Sequence, residues 1–317
     1  MRESSTKNLN KQKIKFHNKA KNQGHFLLLL SLSSVIVIMA SKISQSEQRF
    51  ITSGIEQNMR SDGRSRLDYR MFNVETNVQS QTNGSARVRL GQHTDVLVGV
   101  KVEVGEVNSD FPDQGILQVH VECLPSASPE YEGRGAEELN AMLAATLSNL
   151  IKNSFAIDWK ALCITPGRQC WIVYVDCLVL DSSGNLLDAL GIAVKSALFN
   201  TRVPKIEVVE LDNGMTEIEV SDDPSDFTKL DTSNVPICIT MAKVGTKYIV
   251  DPSFQEELCM ESRITIAINS KGNVCSIQKG GGAASGINPS ELNKMLQVAR
   301  KIGLSLLERL NTLLENQ

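Results

Sequence analysis

The sequence predicts an α+β fold of two subdomains with the same internal order. Three observations point there. Runs such as VLVGVKVEV (Val96–Val104) and CWIVYVDCLVL (Cys170–Leu180) combine β-branched residues with alternation, the chemistry of buried or half-buried strands. Stretches of helical period follow such runs. That order, strands first and helix last, occurs twice along the chain, without a residue-level repeat.

The elements follow in sequence. Ser46–Asn58 is weakly helical through Phe50, Ile51 and Ile55, and the charged turn Arg60-Ser61-Asp62-Gly63-Arg64 interrupts it. Strands are expected at Ser85–Leu90, Thr94–Val104 and Gly115–Cys123. A helix at Glu137–Ile151 has Leu139, Met142, Leu143, Leu147 and Leu150 as its core stripe. The strand Cys170–Leu180 ends in the turn Ser182–Asn185, and Leu186–Phe199 is a helix rich in alanine, suited to close packing on a sheet. A subdomain boundary falls within 200–234, where a short strand (Lys205–Leu211), an Asp-Asn-Gly turn and SDDPSD occur. The second half has strands at Ile237–Val244, Lys247–Val250, Arg263–Asn269 and Val274–Lys279, then Gly280-Gly281-Gly282. A helix from Pro289 to about Leu314 closes it, with Leu292, Met295, Leu296, Ala299, Ile302, Leu306 and Leu310 at helical spacing.

Composition narrows the function classes. The 317 residues are 41% hydrophobic and 22% charged, ordinary for a folded domain of this size. Seven cysteines, odd in number and never spaced CxxC, argue against a zinc site or a disulfide framework and for reduced, intracellular thiols. The net charge of −3 divides into +6 for residues 1–38 and −9 for the rest. An acidic body is a poor free-standing nucleic-acid binder, because phosphate neutralisation supplies most non-specific affinity. Residues 1–44 form an N-terminal extension, in which the basic stretch runs into FLLLLSLSSVIVIMA (Phe26–Ala40). By itself this reads as a secretory signal or a short membrane anchor, below the roughly 20 apolar residues of a spanning helix. The reading favoured by the unpatterned cysteines downstream is that translation starts at Met39.

Few motifs carry chemistry of their own. The triglycine lacks the Lys-Ser or Lys-Thr of a phosphate loop and reads as a strand-to-helix connection. His93 and His120, the only histidines of the body, stand beside no nucleophile or metal-like cluster. The acids Asp251, Glu256 and Glu257 have two readings, a Mg²⁺ or general-acid site and a solvated loop. The set Arg60, Arg64, Arg66, Arg70, Arg87 and Arg89 is either an RNA- or protein-facing stripe or, with Asp62 and Asp68 nearby, a salt-bridged interface.

Taken in order, these landmarks resemble the ribonuclease PH family. MRSDGR (59–64) is similar to the family's R-x-D-G-R opening, and GSARVRLG (84–91) followed by Thr94-Asp95-Val96 to its first hairpin. LPSASP (124–129), the strand WIVYVDCLVLD with GNLLDA after it, and ALFNTRVP (197–204) resemble the exosome branch. VDPSFQEE (250–257) resembles the archaeal non-catalytic ring subunits and their eukaryotic descendants. The resemblance covers about residues 45–315. It implies the ribonuclease PH fold (the ribosomal protein S5 domain 2-like α+β class), with βαβα-type subdomains at 45–204 and 205–317.

The departures from the family pattern imply loss of catalysis. Phosphorolytic members follow the central strand with a Gly-Thr-Arg turn that holds the attacking phosphate, Arg pairing with it through its planar fork. Here the turn reads Gly184-Asn185-Leu186-Leu187-Asp188, so Leu187 and Asp188 are expected in the anion pocket, the carboxylate repelling phosphate. Of two acids that active members place six residues apart, Glu257 remains and Arg263 stands at the second position. The helix Glu137–Ile151 also lacks arginines that active relatives use along the RNA path. The resemblance thus implies a subunit of a six-membered ring of ribonuclease PH-like proteins, with S1/KH-type caps, RNA in the central channel and separate hydrolytic nucleases. It implies no catalytic residue, cofactor, metal or small-molecule substrate, and a location in nucleus, nucleolus and cytoplasm. Arg134 and Arg202 are the candidates for the RNA path. The rival reading is a phosphate-dependent 3′-to-5′ exoribonuclease; a secreted or anchored protein rests on Phe26–Ala40 alone.

Overall fold

The alternating valines of the longest expected strand lie inside a six-stranded sheet. The computed structural model describes residues 43–154, 156–210, 216–221, 223, 225–280 and 286–316. The stretch through Ala40, the Asp212-Asn213-Gly214 turn, Asp222, Pro224, Gly281 and Gly282 lie outside them. Strands β1 (Phe72–Thr76), β2 (Gly84–Leu90), β3 (Thr94–Glu106), β4 (Ile116–Cys123), β5 (Cys163–Thr165) and β6 (Gln169–Asp181) form this sheet. Its order is β1-β2-β3-β6-β4, with β5 against β6; only the β4–β6 pair is parallel. Across β3 and β6 the pairs Val96–Val179, Val98–Cys177, Val100–Val175 and Val102–Val173 are all buried, which places one alternate set from each strand on the core face. A parallel pair needs a crossover, and α2 (Glu137–Asn153) supplies it, packing on β4 through Leu143, Leu147, Leu150 and Ile151.

Helix α3 (Leu186–Phe199) is the centre of the molecule. Every residue of it except Phe199 is buried, as expected of a helix apolar on all sides. It packs against β2 and β3 and, on the other side, against β11 (Ile237–Val244) of the second half. Ala189, Ala193 and Ala197 recur every four residues on α3 and allow close approach. The approach to β2 is close enough that Gly84 has no room for a Cβ, which would sit 2.7 Å from both the Ala197 carbonyl oxygen and Thr201 Cα.

The second half has the expected order of strands first and long helix last, with one short helix added between its two hairpins. Two hairpins, β11 with β12 (Lys247–Val250) and β13 (Ser262–Ile268) with β14 (Val274–Gly280), form the sheet β12-β11-β13-β14. The short helix α4 (Phe254–Cys259) lies between the hairpins. Its start has a local cause: Glu256, three residues after Ser253, turns its carboxylate back onto the Ser253 N–H at 2.8 Å. Helix α5 (Pro289–Glu315) covers the sheet through Met295, Ala299, Leu306, Leu307 and Leu310. One apolar core runs through both halves by way of α3. Helix α1 (Gln45–Glu56) closes a smaller cluster, with Ile51 and Ile55 against Ala242, Val244, Ile249 and Cys259. Short paired strands β7 (Arg202–Pro204) with β10 (Phe227–Lys229) and β8 (Ile206–Glu210) with β9 (Thr216–Val220) occupy the region between the halves. Among the described residues no helix is long and apolar enough to cross a membrane. The seven cysteines are free, and five of them are buried.

Candidate functional site

The charged arm that precedes β1 wraps the end of β12. Arg60 presents its fork to Glu256, with Nε 2.7 Å from Oε1 and both side chains out of solvent. Its remaining donors reach the Val250 carbonyl (2.9 Å) and the Asp251 carbonyl (2.8 Å). Asp251, at φ 51°, accepts from Arg64 Nη1 at 2.8 Å and from Arg70 Nε and Nη2 at 2.8 and 2.7 Å. Burial opposes its charge, but the Arg70 and Arg64 guanidiniums outweigh that and hold the carboxyl below the usual range. Arg60, Arg64 and Arg70 of the arginine stripe are therefore partners in internal ion pairs, whereas Arg87 and Arg89 pair with Asp95 and Glu75 nearer the surface and Arg66 bonds the Asn58 side chain. The acids are no Mg²⁺ cage either, since Asp251 and Glu256 are each satisfied by nitrogen donors. Among the described residues no His, Cys, Asp and Glu converge as a metal set.

The same arm fixes the turn into α3. Arg70 Nη2 donates to the Gly184 carbonyl at 3.1 Å, and the Ser183 N–H donates to Thr94 Oγ1 at 3.2 Å. Gly184, at φ +86°, lies so close to α4 that a Cβ would be 2.5 Å from Phe254 N. Asn185 follows in the left-handed region, which its short polar side chain tolerates. Its N–H, at the start of α3, donates to Glu257 Oε1 at 3.0 Å, and Arg263 Nη1 lies 3.9 Å from the same oxygen. Burial raises the Glu257 pKa, with Arg263 and the Asn185 N–H pulling it back. Glu257 and Arg263 thus meet, six residues apart in sequence and paired in space.

Leu187 and Asp188 do not face an anion pocket, contrary to the sequence expectation. Leu187 belongs to the apolar core. Asp188 has no solvent exposure; Thr240 N and Oγ1 donate to it at 2.9 and 2.6 Å, Asn185 Nδ2 at 2.9 Å and Tyr69 OH at 3.2 Å. The cause is the position of α3 between two sheets, which leaves its first turn no open side. Asp188 ties α3 to β11 rather than repelling a ligand. Tyr69 and Thr240 went unnoticed in the sequence, and Arg70 and Asn185 were named only as members of the arginine set and of the turn; the S-S-G-N turn before an apolar helix was the available signal for the role of Asn185. Arg134 is 92% exposed beside Glu137, and Arg202 stacks over the Phe227 ring at 4.8 Å. Neither has a described contact with Glu257 or Arg263. His93, near Asp181, and His120 are surface residues.

Comparison with known proteins fits this geometry to a family. Residues 68–204 match the 3′ exoribonuclease family, domain 1, and residues 234–302 match domain 2 of the same family. The chain belongs to the 3′ exoribonuclease family. Among family relatives, the Dictyostelium discoideum protein named as exosome complex exonuclease RRP42 is 41% identical over 313 residues, 84% of this chain and 96% of that protein. The Thermococcus kodakarensis protein named exosome complex component Rrp42 is 39% identical over 255 residues, 80% of this chain and 90% of that one. A chain of the Archaeoglobus fulgidus exosome with RNA bound to the active site superposes with a TM-score of 0.71 at 34% identity, covering 83% of this chain and 97% of its own. A chain of an archaeal exosome core gives 0.71 at 30% identity, covering 87% and 98%. The fold is the ribonuclease PH fold in two subdomains.

Proposed function

We propose that this chain is a non-catalytic subunit of an exosome-type ring that threads RNA toward separate hydrolytic nucleases in 3′-to-5′ processing and decay. One observation carries the absence of catalysis. At the start of α3, where phosphorolytic relatives hold phosphate, the Asn185 N–H is engaged by Glu257, and the turn Gly184–Asp188 has no arginine, its leucines belonging to the core. An anion entering there would have to displace a carboxylate also paired with Arg263. Since phosphoryl-transfer catalysis is nearly all positioning and electrostatics, losing the phosphate contacts removes most of what the fold supplies. Support for the ring reading comes from the archaeal exosome structures and from the relatives' names. Its partners are other ribonuclease PH-like subunits, S1/KH-type caps, the nucleases and RNA in the channel. In animals its counterpart is the exosome component numbered seven, with a location in nucleus, nucleolus and cytoplasm. The acidic body makes RNA contact depend on the neighbours, with Arg134 and Arg202 as this chain's contribution to the path.

The second reading, a phosphate-dependent exoribonuclease, is favoured by the name of the Dictyostelium relative. An assay of the chain in complex with its ring neighbours, with 3′-labelled RNA and phosphate, separates the two. We expect any release of nucleoside diphosphates to be the same for Glu257→Ala as for the unaltered chain. Release that disappears with Glu257→Ala overturns the non-catalytic reading.

A further inference from the structure

Asp188 is buried without a cation of its own, yet a path of hydroxyls leads from it to the surface. Thr240 Oγ1 on β11 lies 2.6 Å from Asp188 Oδ1 and 3.0 Å from Thr265 Oγ1 on β13. Thr265 in turn lines a pocket of about 200 Å³ between α2 and the second sheet. Thr146, Asn149, Ser276 and Gln278 give that pocket a neutral polar wall. With about 30 Å³ per molecule in the liquid, it has room for several waters.

We propose that Asp188 is a pH-responsive latch between the two halves, exchanging its proton with solvent through Thr240, Thr265 and this pocket. A hydroxyl both donates and accepts, so the chain serves either state of the carboxyl. With Asp188 ionised, Thr265 donates to Thr240 and Thr240 donates to Oδ1. With Asp188 protonated, Oδ1–H donates to Thr240 and Thr240 donates to Thr265. To pass between them, a hydronium in the pocket gives a proton to the Thr265 oxygen and becomes water. Thr265 releases its own proton to Thr240, and Thr240 releases its own to Asp188. The rest of the surroundings fixes the other carboxyl oxygen. Asn185 Nδ2 bridges Asp188 Oδ2 and Asp251 Oδ1, at 2.9 and 2.6 Å, and leaves its own buried Oδ1 without a partner. The groups facing Asp188 are Tyr69 and Arg70 of the arm, Asp251 after β12, and Thr240 and Cys238 of β11. Arg64 and Arg70 are spent on Asp251, so neither serves Asp188 as a direct partner.

Burial raises the Asp188 pKa from 3.8 to about 7, with the Thr240 and Asn185 bonds pulling it down and Asp251 pushing it up. A raised carboxyl pKa means that the folded state holds the proton more tightly than the unfolded chain. The stabilisation is present in full below about pH 4 and is lost as pH rises through about 7. The test is denaturant unfolding of the full chain from about pH 5 to 8.5, a window that contains the upper part of this loss and its end near 7, with carboxyl-carbon NMR of labelled aspartate as an independent measure. We expect one buried aspartate to titrate near neutrality and the folding constant to fall by up to about tenfold per pH unit below that point. Asp188→Asn should remove both signals. Thr265→Val interrupts the hydroxyl path and should slow proton exchange at Asp188, taking its carboxyl-carbon signal from one averaged line to broadened or separate lines at the titration midpoint; Thr265→Ser, which keeps a hydroxyl, should retain the averaged line. An unchanged pH profile in Asp188→Asn, or an averaged line retained in Thr265→Val, overturns the proposal. If the valine variant does not fold, the proposal falls on the NMR titration of the unaltered chain alone, should no buried aspartate titrate near neutrality.

Discussion

Replacing Arg60 by alanine tests whether the arm is a structural clamp. Arg60 holds Glu256 through two parallel bonds and caps the Val250 and Asp251 carbonyls, all within the protein. The substitution leaves a carboxylate buried without its cation, which costs about 3–5 kcal/mol. Two carbonyls that lose a charged donor add about 1–3 kcal/mol. The total, about 4–8 kcal/mol, is comparable with the whole stability of an ordinary domain at about 5–15 kcal/mol. Arg60→Met with Glu256→Gln removes both charges and should cost much less than Arg60→Ala. Urea unfolding of Arg60→Met, Glu256→Gln and the variant carrying both, read as a double-mutant cycle, measures the coupling. We expect at least about 2 kcal/mol, within the range seen for directly coupled groups. Additive costs, or an Arg60→Ala loss below about 1 kcal/mol, the scale of a surface pair, would refute the clamp.

Two other substitutions probe the C-terminal part of α3. Gly84→Ala puts a methyl against the Ala197 carbonyl and Thr201 Cα, backbone atoms that cannot swing aside, and should cost about 1–3 kcal/mol in the same unfolding assay. Lys195 is buried with Nζ 2.7 Å from the Val235 carbonyl, and burial lowers its pKa to about 8. Between about pH 8 and 10.5 the unfolded chain therefore binds the extra proton, so stability should rise with pH across that window; Lys195→Met should abolish the rise.

What the sequence revealed and what it hid have physical causes. Alternation and helical period depend on neighbours in the chain, and the strand Ile237–Val244 and the helix Leu186–Phe199 were readable to the residue. β1 was missed because only Phe72 and Val74 of its five residues face the core. α4 was missed although Ser253 and Glu256 stand at capping-box spacing. The pairing of Arg60 with Glu256 spans 196 positions and leaves no local trace, so stripe and clamp were equally legible. Asp188 was misplaced by reading it from its motif position alone. LLDALGIAVKSALF has two polar side chains able to carry charge in an otherwise apolar helix, Asp188 and Lys195, separated by two turns. Both reach into the second half, to Thr240 and to the Thr232 and Val235 carbonyls. A helix apolar on every side implies that its charged groups have internal partners.

Two of the motifs that carry the family resemblance supply the clamp. R-x-D-G-R supplies Arg60 and Arg64, and VDPSFQEE supplies Asp251 and Glu256, their partners across the fold. Such residues join the arm to the second sheet and support the turn into α3, whatever chemistry the turn carries. A resemblance built on them therefore reports architecture, and activity must be read from Asn185, Leu187, Glu257 and Arg263. On the proposed non-catalytic reading, that corner is filled rather than empty. The one retained acid is bound to the amide at the head of the helix, and the residue at the second acid position is its cation. The resemblance implies that a phosphorolytic relative receives an anion from solution at this turn; here a carboxylate of the chain itself meets the Asn185 N–H. Its pairing with Arg263 makes the two changes one, because an acid restored at 263 would set two carboxylates against each other and loosen the contact that now closes the site.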